Sequence, residues 1–147
     1  MTSANRRIDP ATPARPAGDT DSRAAAARFV VLVVEDDTLL RMHAAEMIEE
    51  AGFEVLEAPN ADEAIKLLET RPDIAIVFTD IDMPGSMNGL KLAHAVANRW
   101  PPIRIVATSG HFQMQDGDLP EGGLFIAKPY LSHQILSTLR ELAHTAV

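Results

Sequence analysis

The chain has 147 residues, 46% of them hydrophobic, and a formal net charge of −8, a length that suits one domain with a buried core. It contains no cysteine, so disulfides and thiolate metal sites are excluded and a cytoplasmic location is expected. No apolar stretch approaches the roughly 18 residues of a membrane span, and the acidic balance argues against direct nucleic-acid binding, which needs a basic footprint.

Residues 1–28 hold five arginines against three aspartates, together with Pro10, Pro13, Pro16 and Gly18. Lacking apolar periodicity, this arm reads as a disordered leader. It has no apolar core of a signal peptide, and its three acidic residues suit a transit peptide poorly. The remaining residues, 29–147, read as one folded domain with a charge of −10, since the arm carries a surplus of two positive charges.

The domain opens on Val31-Leu32-Val33-Val34, an apolar run of strand length that ends in Glu35-Asp36-Asp37. Leu39, Leu40, His43, Ala44, Met47, Ile48 and Ala51 then follow helical spacing, and Gly52 suits the end of that helix. Phe53 to Ala58 predicts a second strand. Asn60, three residues before Glu63, is a capping arrangement for a helix through Ile65, Leu67 and Leu68 that stops before Pro72. A third strand, Ile76-Val77-Phe78-Thr79, ends at Asp80 and is followed by Ile81-Asp82-Met83-Pro84. Leu90, Leu92, Ala93, Ala95 and Val96 predict the third helix, Ile103 to Ala107 the fourth strand, Leu124 to Ala127 the fifth, and Leu131 to Ala143 a closing amphipathic helix. Between the last two strands, residues 109–124 contain four glycines and one proline. Each glycine opposes a helix interior by about 1 kcal/mol and proline by about 3 kcal/mol, so a fourth helix there is short, displaced or absent.

Alternating strands and helices predict an α/β fold, a flavodoxin-like doubly wound sheet of five parallel strands in the order 2-1-3-4-5. In such a sheet the carboxyl ends of the strands open into the ligand crevice. Glu35 and Asp36, Asp80, and Lys128 of Lys128-Pro129 would converge there. Carboxylates packed together repel unless a hard cation lies between them, and Mg²⁺ takes oxygen ligands from carboxylates, waters and a phosphoryl group. A lysine adds a point charge for a phosphate oxygen. The chemistry is that of a magnesium and phosphoryl site.

These residues resemble the receiver domain of two-component response regulators, over about Phe29 to Leu142. The match comprises the acidic pair Glu35 and Asp36 after the first strand, Asp80 placed 44 residues after Asp36, Thr108 at the end of the fourth strand, Lys128 before a proline, and Phe125 three residues before the lysine. The resemblance implies that Asp80 is a phosphoacceptor whose carboxylate attacks phosphorus, as in other covalent carboxylate mechanisms. It implies Mg²⁺ as cofactor, held by Asp36 and Asp80, by Glu35 through a water, and by the backbone carbonyl of Asp82. Lys128 would pair with the phosphoryl group. Thr108 would donate its hydroxyl to that group, with Ser109 as a competitor, and Phe125 would turn inward as Thr108 moves. A cis Lys128-Pro129 bond is also implied. The phosphodonor would be a sensor histidine kinase or phosphotransfer protein. With no output domain after Val147, a stand-alone receiver would act by contact with a downstream protein partner, as a homodimer, or as a phosphate sink.

Two departures from the family pattern bear on output. The sequence of residues 109–124 puts the face usually built by the fourth helix in question. The loop Pro84-Gly85-Ser86-Met87-Asn88-Gly89 is one residue longer than is common, with consequences for kinase docking or dephosphorylation.

Two other functions compete. Asp80-Ile81-Asp82 has the strand-ending D-x-D form of haloacid-dehalogenase-like phosphatases, but those enzymes carry it on their first strand, with acidic metal ligands downstream rather than upstream. A receiver-like module that binds partners without phosphorylation is disfavoured because every chemical position is filled. His43, His94, His111, His133 and His144 show no close metal-ligand spacing.

Overall fold

A computed structural model describes residues 29–84, 87–111, 115 and 117–145. The proposed leader, Gly85-Ser86 of the long loop, and residues 112–114 and 116 lie outside the described residues. The elements run β1 (Val30–Val34), α1 (Thr38–Glu50), β2 (Glu54–Ala58), α2 (Ala61–Thr70), β3 (Ile74–Asp80), α3 (Gly89–Arg99), β4 (Arg104–Ser109), β5 (Leu124–Ala127) and α4 (Ser132–Thr145). All neighbouring strands are parallel, in the order β2-β1-β3-β4-β5. This is the expected doubly wound sheet.

Every residue of β1 is buried, as expected of a central parallel strand covered on both faces. Side-chain alternation divides it between two cores. Val31 and Val33 pack with Ala44, Met47 and Ile48 of α1 and with Ile135, Leu139 and Leu142 of α4. Val30, Leu32 and Val34 pack with Ala64 and Leu68 of α2 and with Leu92, Ala93 and Val96 of α3. Twelve of the largest buried side chains are Leu, Ile or Val, and each contributes about 1.5–3 kcal/mol by leaving water.

Local signals set the ends of the helices. The side chains of Asp37, Asn60 and Asn88 accept hydrogen bonds from the Leu40, Glu63 and Lys91 amides at 3.0, 2.9 and 3.0 Å, so each helix starts on a side-chain cap. Gly52 follows the C-cap Ala51 at φ 103°, a conformation that glycine adopts without a Cβ penalty. The apolar spacing of α1 is not all core. Leu39 and Leu40 are 77% and 51% exposed, because the first turn lies at the carboxyl edge of the sheet and the helix reaches the core only from Ala44 onward.

Among the described residues no helix lies between β4 and β5, in line with the glycine content. The connection is instead held to α3: His94 Nε2 contacts the Asp118 carbonyl oxygen at 2.7 Å, and Leu119 packs against the second core. No helix of the described residues is long and apolar enough to cross a membrane.

Candidate functional site

Parallel pairing brings the carboxyl ends of β1, β3 and β5 to the same edge of the sheet. Glu35 leaves β1 with its amide donating to the Ala58 carbonyl at 3.1 Å, which continues the β1–β2 ladder by one residue and holds the side chain inward. One of its carboxylate oxygens accepts from the Asp37 amide at 3.1 Å, and the other from Lys128 Nζ at 3.3 Å. Asp36, the next residue, is exposed at the mouth. Asp80 closes β3 and is 5% exposed.

Glu35, Asp36 and Asp80 each offer a carboxylate oxygen, and these atoms lie within 4.8 Å of one another. Lys128 Nζ is 3.2 Å from Asp80 Oδ1. That contact is an ion pair to a buried oxygen. Three carboxylates face one ammonium, a net negative site. Three carboxylate oxygens gathered around one ammonium make a donor set that suits a hard, oxygen-seeking cation such as Mg²⁺.

Electrostatics follow from burial. Burial pushes the Asp80 carboxyl above the ordinary aspartate range, against the pull of Lys128 and of the Asp82 amide. Burial likewise raises Glu35, opposed by its bond from the Asp37 amide. For Lys128 burial acts downward, but the charges of Asp80 and Glu35 outweigh it and raise the ammonium above the ordinary lysine range.

The two hydroxyls at the end of β4 are told apart by register. Thr108 pairs with Asp80, and its carbonyl accepts from the Ile81 amide at 2.8 Å. Ser109, adjacent in the strand, points to the opposite face. There its hydroxyl donates to Asp82 Oδ2 at 2.5 Å and accepts from the His111 amide at 3.1 Å. Asp82 itself is exposed. Phe125 is half-buried on the edge strand, where the register sets it beside Ala107 and sets Ile126 beside Thr108. The Lys128 amide donates to the Ser109 carbonyl at 2.9 Å, and the Lys128-Pro129 bond is cis. Leu40, His43, Gly110, Lys128, Pro129 and Tyr130 line a cavity of about 440 Å³ beside the lysine.

Sequence reasoning missed three contributors. Arg41 donates to the Glu35 carbonyl at 2.9 Å and to Glu57 at 3.3 Å, bracing the acidic turn against β2. Tyr130 packs its ring edge-on to Phe78, with centroids 6.2 Å apart. Gly89 opens α3 directly behind Asp80. Each acts on a partner in another element or turn, six or more residues away.

A family model described as the response regulator receiver domain matches residues 31–140. The hydrogenase transcriptional regulatory protein HoxA of Cupriavidus necator is 32% identical over 115 residues, 76% of this chain but 23% of HoxA, so the chain spans about a quarter of that regulator. The chemotaxis protein CheY of Thermotoga maritima is 34% identical over 118 residues, covering 77% of this chain and 96% of CheY. Among solved structures, the response regulator TrrA of Thermotoga maritima in complex with Mg²⁺ and BeF superposes with a TM-score of 0.71 at 23% identity, over 78% of this chain and 98% of TrrA.

Proposed function

The chain belongs to the receiver domain family of two-component response regulators, and from that premise we propose that Asp80 accepts a phosphoryl group in a Mg²⁺-dependent reaction. The observation that carries the reading is Asp80 Oδ1, buried, 3.2 Å from Lys128 Nζ and gathered with the Glu35 and Asp36 carboxylates. An Asp80 oxygen forms the new bond to phosphorus. The bond from phosphorus to the donor breaks, and its electron pair leaves with the imidazole nitrogen of a sensor histidine kinase or phosphotransfer protein.

Bound Mg²⁺ would supply positive charge against the phosphoryl oxygens, with Asp36 and Asp80 as direct ligands, Glu35 acting through a water and the Asp82 carbonyl completing the set. Lys128, charged and 3.2 Å from Asp80, would offset the charge of the phosphoryl group. Thr108 stands in register with Asp80 and offers its hydroxyl to that group. Phosphorylation signals only if it favours one of two states by a differential free energy. Thr108 and the edge residue Phe125 are the proposed carriers of that difference to a downstream protein partner or a second copy of the chain. Exposed Leu39, Leu40 and Leu131 beside the mouth offer apolar surface to a donor protein.

The test is incubation with Mg²⁺ and acetyl phosphate, followed by intact-protein mass spectrometry. One phosphate adduct, absent without Mg²⁺ and absent in Asp80→Asn, is the expected result. Steady phosphate release with turnover would point to a phosphatase, and failure to form either an adduct or a beryllofluoride complex would point to a binding module without phosphorylation.

A further inference from the structure

Four carboxylates stand at the mouth of the site, but only three converge. Glu35, Asp36 and Asp80 present oxygens within 4.8 Å of one another. Asp82, two residues after Asp80 and exposed, falls outside that group. Its carboxylate is bound instead by Ser109, buried at the end of β4 with 1% exposure. The His111 amide donates to the Ser109 hydroxyl oxygen at 3.1 Å, so the hydroxyl hydrogen is directed at Asp82 Oδ2, 2.5 Å away. A hydroxyl-to-carboxylate bond of this length belongs to the strong, charge-assisted class.

We propose that Ser109 is a positioning residue that sequesters the Asp82 carboxylate from the cation site and thereby sets the affinity for the divalent ion. The inference rests on the Mg²⁺ reading of the site given above. Asp82 follows Asp80 by two residues, and its own amide hydrogen-bonds to the Asp80 side chain. Rotation of the freed side chain would therefore bring a fourth carboxylate against a cation held by the other three. Cation sites gain affinity with the number of charged ligands. A tighter hold on the ion competes with its contact to the phosphoryl group, so a clasp that withholds one carboxylate keeps the site open for exchange. Because Ser109 also follows Thr108 in β4, a shift of Thr108 toward a phosphoryl group would pull on the clasp, coupling phosphorylation to release of Asp82.

The experiment is calorimetric titration of the full chain with MgCl₂. Ser109→Ala is expected to bind Mg²⁺ about three- to tenfold more tightly than wild type, a range of up to one decade in dissociation constant. Ser109→Thr keeps the hydroxyl and should restore the wild-type value. In an Asp82→Asn background, Ser109→Ala should change the affinity less than about twofold, which closes a double-mutant cycle on the pair. Should Ser109→Ala fail to fold, Ser109→Cys, whose thiol is a weak donor, takes its place with the same expectation. Unchanged or weaker Mg²⁺ binding in Ser109→Ala, or an equal effect with and without the Asp82 carboxylate, overturns the clasp. A wild-type chain that binds no Mg²⁺ overturns the reading beneath it.

Discussion

Gly89 lies directly behind Asp80: a Cβ built on it would stand 2.1 Å from the Asp80 carbonyl oxygen and 2.7 Å from the Ile81 Cα. Both neighbours are backbone, so no side chain can rotate away, and the Gly89 amide donates to the Ile81 carbonyl at 3.1 Å in the same contact. The start of α3 is thereby pressed against the end of β3, which fixes where the Asp80 side chain emerges. Gly89→Ala is expected to destabilise the fold by about 1–3 kcal/mol, the range for forced overpacking, as read by urea denaturation. Phosphate uptake from acetyl phosphate should fall with it, because relief of the clash moves Asp80.

The raised carboxyls set the response to pH. For Asp80 and Glu35 the folded state holds the proton more tightly than the unfolded chain, with burial as the leading cause. Their contribution to stability is full below the ordinary carboxylate range and is lost as pH rises through the raised folded values. Lys128, also raised, loses its contribution only at the alkaline end, as pH climbs through its folded value. Asp80→Asn removes one buried charge and should raise the melting temperature at neutral pH in the absence of Mg²⁺. The gain should shrink on acidification, when the wild-type carboxyl takes up its proton. Thermal melts of both proteins between about pH 4 and about pH 8, a span that brackets the carboxylates, check the sign; a mutant less stable than wild type at neutral pH would contradict it.

Mg²⁺ should stabilise the wild type by mass action, by about 2.7 kcal/mol at roughly 100 times its dissociation constant. Chelation with EDTA should reverse the shift. Because the ligands must be deprotonated to bind, the shift should diminish at acid pH, starting above the ordinary carboxylate range. Asp36→Asn should reduce it at every pH.

Two helical leucines make a paired test of burial. Leu92 is fully buried between α3 and the sheet, whereas Leu39 on the first turn of α1 is 77% exposed. Leu92→Ala should cost about 2–5 kcal/mol through lost transfer energy and a residual cavity. Leu39→Ala should fall within about 0.5 kcal/mol of wild type. Denaturant midpoints distinguish the two directly, and comparable losses at both positions would contradict the packing described.

The N-cap of α1 gives a smaller, local effect. Asp37 accepts from the Leu40 amide at 3.0 Å in an exposed setting, so Asp37→Ala should destabilise by about 1 kcal/mol, again read from urea unfolding.

Much of this architecture was legible residue by residue. Val31 to Val34 and Ile76 to Thr79 read as buried parallel strands because nothing charged interrupts them, and Asn60, three residues before Glu63, marked the start of α2. The acidic pair, Asp80 and Lys128 could be placed together because each ends an apolar run, and in a parallel sheet all such ends lie on one edge. That the described residues between β4 and β5 form no helix agrees with the glycines and proline there. Leu39 and Leu40 were not legible as surface residues, since helical periodicity does not say where a helix runs past the sheet it covers.

By itself, then, the sequence determined the order and type of the elements, the chemical identity of the groups at the strand ends and the net negative charge there, because these depend on local pattern and on the two-sided burial of parallel strands. The tertiary structure alone decided which groups touch. Ser109 and Thr108 are equivalent as neighbouring hydroxyls in the sequence, yet strand register points one at Asp82 and sets the other beside Asp80. Arg41 on Glu35 and Gly89 behind Asp80 likewise depend on the distance between separate elements. Such contacts are set by packing across the sheet, at ranges that no local spacing encodes.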